Sequence, residues 1–335
     1  MTIQEIEEAC KASVPLDFSR HELAPPALSL SKMFYPFGFP AEVRTNSTEV
    51  LQVMDELWGN FEKQYDTEPI VSEVHVVDDD DSDECPPTPA YRFIMPLMLG
   101  VADRNNYTIV DLERNRAQIV LSHAALKHKL YAAYFLLGTP GCLITTRYTT
   151  PVHAGCVALN GRGVLLCGDS GMGKSTLSYA CARAGWTYIS DDASLLVNGR
   201  EDRLVIGDCH RVRFRPTAAE LFPEIQGLDL TPRATGKPSI ELPTAPMQHI
   251  ASSQSTPVDF IVFLNRHSGG SPELLPYYKD VARYAMQQTL FGLPETRAEQ
   301  YQAIERLLNL GVFELRYTDL DWAINRLERL VREGR

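Results

Sequence analysis

The stretch Gly163–Asp192, GVLLCGDSGMGKSTLSYACARAGWTYISDD, decides how the chain is read. Gly168 to Ser175 fits the pattern GxxxxGK[ST]. An apolar strand precedes it, and a helix follows that Gly185 can stop. Glycines let such a loop turn its amide hydrogens inward, and the helix adds its positive N-terminus, so the whole is a cradle for phosphate. The candidate nucleotide contacts are Gly168, Asp169, Ser170, Gly171, Met172, Gly173, Lys174, Ser175 and Thr176. Lys174 is expected to reach the β- and γ-phosphates and the Ser175 hydroxyl to hold Mg²⁺, which makes ATP and Mg²⁺ the expected cofactors.

The same stretch ends in WTYISDD, an apolar strand leading into Asp191 and Asp192. Carboxylates at such a strand end can hold Mg²⁺ or order a nucleophile. They follow Lys174 much sooner than the corresponding acid does in transporter-like ATPases. A base-reading NKxD motif, expected of a GTPase, is absent. RHSGGSP at 266–272 lacks the leading apolar residue of a transporter signature.

Beyond this stretch, the 335 residues suggest two domains. Hydrophobic residues at 44% and charged residues at 22% suit a globular protein with a proper core. No run approaches the roughly 20 apolar residues of a membrane span, and MTIQEIEEACKASVP is not a signal peptide, so a cytoplasmic location is expected. The net charge of −11 argues against nucleic acid or an anionic membrane as partner. Seven cysteines without CxxC spacing read as small buried hydrophobes rather than a zinc site or a disulfide framework.

Helical spacing is expected over 48–65 and from about His123 to Leu137, with strands at 69–77 and in YRFIMPLM and NYTIVDLERNRAQIVLS. The acidic run at 78–89 reads as a solvated loop. From Leu143 onward, strands are expected at 155–160, 163–167, 186–190, 203–206, 212–215, 258–264 and 312–317. Helices are expected near 279–291 and 296–309, and from Asp319, which can act as an N-cap. The expected division is an N-terminal α+β domain at 1–142 and a P-loop catalytic domain at 143–335. Arg211, Arg213 and Arg215 alternate along one strand, and Arg266 and Lys237 are further cations that could neutralise phosphoryl charge.

VHAGCVALNGRGVLLCGDSGMGKSTLSYACARAGWTYISDD, 152–192, closely resembles the C-terminal catalytic domain of the HPr kinase/phosphorylase family. That family has a His before the phosphate loop, a GDSGxGKS loop and a nearby Asp pair in this order. The resemblance implies an α/β fold, the P-loop variant of the phosphoenolpyruvate-carboxykinase type. It implies ATP- and Mg²⁺-dependent phosphorylation of a serine hydroxyl on a protein or peptide. By the same resemblance the catalytic residues are Asp191 as base, His153 assisting it, and Lys174, with Ser175 and Asp192 around the metal. The family's rings imply a homo-oligomer. The first 140 residues do not resemble the family's N-terminal domain and are expected to recognise substrate or partner. The family signature EIRGxG has only a degraded echo at Glu224–Asp229, where Gln226 replaces the Arg. Two rivals remain beside the serine kinase: a small-molecule kinase on the same scaffold, and a nucleotide-gated regulatory module without turnover.

Overall fold

The computed structural model describes residues 8, 11–12, 28–77, 82–231, 238–245, 247, 249–266 and 270–334. Lys237, Cys10 and part of the acidic run at 78–89 lie outside them. The chain forms two compact units, one within residues 1–147 and the other comprising Tyr148–Thr231 and Pro238–Arg335. The change falls after Arg147 rather than at 142, because the helix that starts at Gly141 runs on to Arg147.

The first unit is a seven-stranded sheet in the order β1-β2-β3-β7-β6-β5-β4. Its strands are β1 (Leu30–Phe34), β2 (Ala41–Thr45), β3 (Ile70–Val77), β4 (Ala90–Ile94), β5 (Leu97–Asp103), β6 (Asn106–Asp111) and β7 (Arg116–Ser122). The helix α1 (Thr48–Trp58) is shorter than the spacing over 48–65 suggests. Gly59 and Asn60 favour an exit there, and Phe61 packs its ring 5.2 Å from that of Phe37 instead of continuing the helix. The helix expected over 123–137 is broken into α2 (His123–Lys127), α3 (Lys129–Tyr131) and a π-helical stretch, Ala132–Leu137, because His128 leaves helical geometry at ψ 69°. After it comes α4 (Gly141–Arg147).

In the second unit a nine-stranded sheet follows the path β11-β9-β10-β17-β13-β12-β8, with β19 pairing both β17 and β18. Its strands are β8 (Thr149–Val152), β9 (Ala154–Leu159), β10 (Arg162–Cys167), β11 (Thr187–Ser190), β12 (Ser194–Val197), β13 (Leu204–Gly207), β17 (Ser255–Arg266), β18 (Glu273–Pro276) and β19 (Gly311–Tyr317). A second, three-stranded sheet has the order β14-β16-β15, from β14 (Arg211–Phe214), β15 (Leu230–Thr231) and β16 (Ser239–Pro243). The long β17 pairs β13 with its first residues and runs parallel to β10 and β19 further on.

Helices α5 (Lys174–Arg183), α6 (Lys279–Gln287), α7 (Pro294–Leu307) and α8 (Leu320–Glu333) cover this sheet on both faces. The strand sequence Val164-Leu165-Leu166 sends alternate side chains to opposite sides, so every position is apolar, as a strand buried on both faces requires. Val164 and Leu166 pack with Leu177 of α5 and Leu327 and Leu330 of α8. Leu165 packs with Met286 of α6 and Ile304 and Leu307 of α7. Asp319 caps α8 as its position suggests, its carboxylate accepting from the Trp322 N–H at 2.7 Å. Of the described cysteines, Cys156, Cys167, Cys181 and Cys209 are buried, whereas Cys142 is half-buried and Cys85 is exposed. Among the described residues, no helix is long and apolar enough to cross a membrane.

Candidate active site

The phosphate loop joins the end of β10 to the start of α5, at the edge of the sheet where the parallel strands β10, β17 and β19 all end. Gly173 has φ +97°, a conformation that a side chain strains. A Cβ there would also stand 2.9 Å from the Tyr317 hydroxyl. Glycine at this position therefore answers both to the turn and to the ring beneath it.

Lys174 lies under the loop and is only 4% exposed. Its ammonium donates to the carbonyls of Gly168 at 2.8 Å and Asp169 at 3.3 Å, and lies 2.9 Å from His153 Nε2. A buried ammonium is costly without such partners, and these hold its charge at the mouth of the loop. His153 is the residue between β8 and β9, facing the loop across the neighbouring strand. Its other nitrogen, Nδ1, is 3.6 Å from Asp192 Oδ1, and Lys174 Nζ is 3.4 Å from the same oxygen. Burial pulls the imidazole below its usual pKa. Asp192 opposes that shift, and Lys174 reinforces it.

Asp191 turns the other way. It is 7% exposed, accepts the Arg213 backbone N–H at 2.9 Å, and has the Ser175 hydroxyl beside it. Burial pushes its carboxyl up to about 6, against the pull of Arg213 and of Ser175. The partners expected from the resemblance are thus exchanged: His153 stands with Asp192, and Ser175 with Asp191. Consecutive residues leaving a strand point to opposite sides, so adjacent aspartates could not share one partner.

The three arginines also part ways. Arg211 pairs with Asp208 at 3.0 Å, and Arg213 with Glu241 at 2.8 Å, across the β14–β16 ladder. Burial opposes the charge on Arg213, but Glu241, Asp208 and Asp191 outweigh it and hold its pKa above the usual range. Arg215, beyond the strand, reaches the loop, with Nη2 3.4 Å from Ser170 Oγ. Arg266 ends β17 beside Gly173, is exposed, and forms no ion pair among the described residues. Glu224 takes the hydroxyl of the buried Tyr179 at 2.8 Å and lies 3.5 Å from Arg183, so the echo of the signature ties its loop to α5.

A cleft of about 480 Å³ opens on the His153 side of the loop. Gly168, Asp169 and His153 line it, as do the stacked rings of Phe263 and Tyr277, 4.6 Å apart. Val281 and Tyr284 of α6 form a further wall. The sequence reading passed over these residues. Their signal was present in YYKDVARYAM, where Ala282 and Met286 mark the buried face of α6 and Val281 and Tyr284 a second, exposed apolar face.

Among the described residues, no group of three or more His, Cys, Asp or Glu side chains could hold a metal ion by itself. Ser175 and Asp191 offer a hydroxyl and a carboxylate, an all-oxygen pair of the kind a hard cation takes when phosphate oxygens and water complete its shell.

No family model matches the chain, and none of the curated proteins matches it. Among solved structures, the HPr(Ser) kinase/phosphatase from Coxiella burnetii is similar at 14% identity. The match covers 55% of this chain and 95% of that one, with a TM-score of 0.30, a distant likeness limited to about half of the present sequence.

Proposed function

We infer that the second unit is an ATP- and Mg²⁺-dependent kinase whose acceptor is a serine hydroxyl of a protein or peptide. The observation that carries this reading is Lys174, buried beneath a glycine-rich loop, with His153 and Asp192 on one flank and Ser175 and Asp191 on the other. Loop amides and the N-terminus of α5 hold the phosphates, and Lys174 turns its ammonium to the β- and γ-oxygens. Held by Ser175 and Asp191, Mg²⁺ would draw off the charge that develops on those oxygens. Asp192, oriented by a neutral His153, takes the proton of the acceptor hydroxyl. The acceptor oxygen then bonds to the γ-phosphorus as the bond to the β–γ bridging oxygen breaks, releasing ADP. Positioning and charge neutralisation carry most of the rate, because phosphoryl transfer asks little covalent work of the protein.

Phosphosite mass spectrometry tests this reading on a host-cell extract incubated with ATP, Mg²⁺ and the protein, with Lys174→Ala and Asp192→Asn beside it. A phosphoserine made only by the unaltered protein is the expected result. Identical phosphosite patterns in all three samples, while the unaltered protein still binds ATP, overturn it.

A further inference from the structure

We propose that the cleft beside His153 is the acceptor subsite, and that it selects a peptide segment carrying an apolar or aromatic residue next to the phosphorylated serine. The proposal rests on the kinase reading and deepens it.

Three observations carry it. The first is position. Gly168, Asp169 and His153 line the cleft, and His153 lies 2.9 Å from Lys174 and 3.6 Å from Asp192, so a body lodged there touches the flank of the loop that those two share. The second is size and lining. About 480 Å³ is the volume of a ligand-sized site. Phe263 and Tyr277 stack along it and Val281 and Tyr284 wall it, which suits an apolar body. The residues that line it include Asp169, an acidic residue that disfavours an acidic neighbour to the serine, and Glu314, which is paired with Arg316 at 2.9 Å.

The third is what stays open to water at the rim and beyond it. Tyr284 is 68% exposed, Val281 47%, and Tyr278, at the N-cap of α6, 81%. Single exposed apolar residues are ordinary, but these follow one another along one short helix beside the cleft. A free metabolite within the cleft would leave the Tyr278 ring, which does not line it, and the outer sides of Tyr284 and Val281 in water. A peptide covers them as it continues past its anchored side chain.

The test uses the full chain, ATP and Mg²⁺, with serine peptides identical except for the residue beside the serine: Leu, Phe, Ala or Asp. The Leu and Phe peptides are expected to exceed the Ala peptide in kcat/KM by about tenfold, as burial of such a side chain implies, and the Asp peptide is expected to be poorest. In Tyr284→Ala, the ratio of Phe to Ala peptide is expected to fall towards one. Because that ratio is measured within one variant, a loss of folded protein does not imitate it.

Equal rates for all four peptides overturn the proposal while the kinase reading stands. A ratio that survives both Tyr284→Ala and Val281→Asp does the same. Phosphorylation of a free apolar alcohol such as 2-phenylethanol, with every peptide inert, overturns the peptide and leaves a small-molecule kinase. No transfer to any probe, with ATP bound, overturns the proposal and the kinase reading together.

Discussion

The two flanks of Lys174 differ more than their sequence proximity suggests. On one side Asp192 is about one-third exposed and stands beside His153, which itself lines the cleft. On the other, Asp191 is buried, held by a backbone N–H and backed by the Arg213–Glu241 pair. The open carboxylate has room for an incoming hydroxyl, and the buried one is fixed in place, as a metal ligand should be. The lesson is that chain neighbours can be separated in chemistry by which way a strand releases them.

The largest expected effect is on what both flanks share. Lys174→Ala should lower phosphoryl transfer by a factor of at least about 10² to 10³, the scale of losing one fixed charge-stabilising group. Single-turnover rates with radiolabelled ATP would show this, and near-normal turnover would mean that the loop does not hold the transferred phosphate.

The flanks can then be separated. Asp192→Asn should cut the rate about a hundredfold with the Mg²⁺ requirement unchanged, as removal of a base does. Asp191→Asn should raise the Mg²⁺ concentration needed for half-maximal rate. If the two variants exchange these signatures, so must the assigned roles.

Stability offers a sharper contrast. The Asp191 carboxyl is raised to about 6 in the folded protein, so folding favours its protonated form. Its burial costs nothing below about pH 4, where it is protonated folded or unfolded. The cost grows as pH rises through 6 and is complete above. Asp191→Asn removes that cost and should stabilise the nucleotide-free protein at pH 7.5 by roughly 2 kcal/mol, visible as a rise in Tm of several degrees. The gain should fade towards pH 4. A Tm shift that does not vary with pH would refute burial as its cause.

The smallest effect is expected at the loop's outer rim. Arg266→Ala should weaken ATP binding about three- to tenfold at low salt and less at high salt, since an exposed cation acts through a screened field. Calorimetric titration at two ionic strengths measures it, and equal losses at both would show that Arg266 acts by packing.

Legibility in the sequence followed distance along the chain. The strand, loop and helix around Lys174 could be read because the residue pattern that marks them is local, although Tyr317 beneath Gly173 is not, and the mark of the Asp319 cap is local too. The end of α1 before Gly59 and the break at His128 escape helical spacing, which records the apolar period and not exit residues or a change in backbone geometry. The presence of His153, Asp191 and Asp192 together was readable from motif order, but their partners were not, because orientation at a strand exit is set by β9, β14 and the loop together. The cleft was least legible. Its walls come from residues as distant as Val152 and Glu314, which only the sheet brings together.

The ring beneath Gly173 has a consequence for biosynthesis. Tyr317 leaves the ribosome long after Gly173, yet its hydroxyl lies beneath that residue, and it pairs in register with Arg266. The glycine-rich loop therefore takes its final shape only once β19 has been made. A nascent chain stalled before Gly311 should not be retained on immobilised ATP, whereas one released after α8 should be. Retention on ATP would in this sense report that β19 has been made.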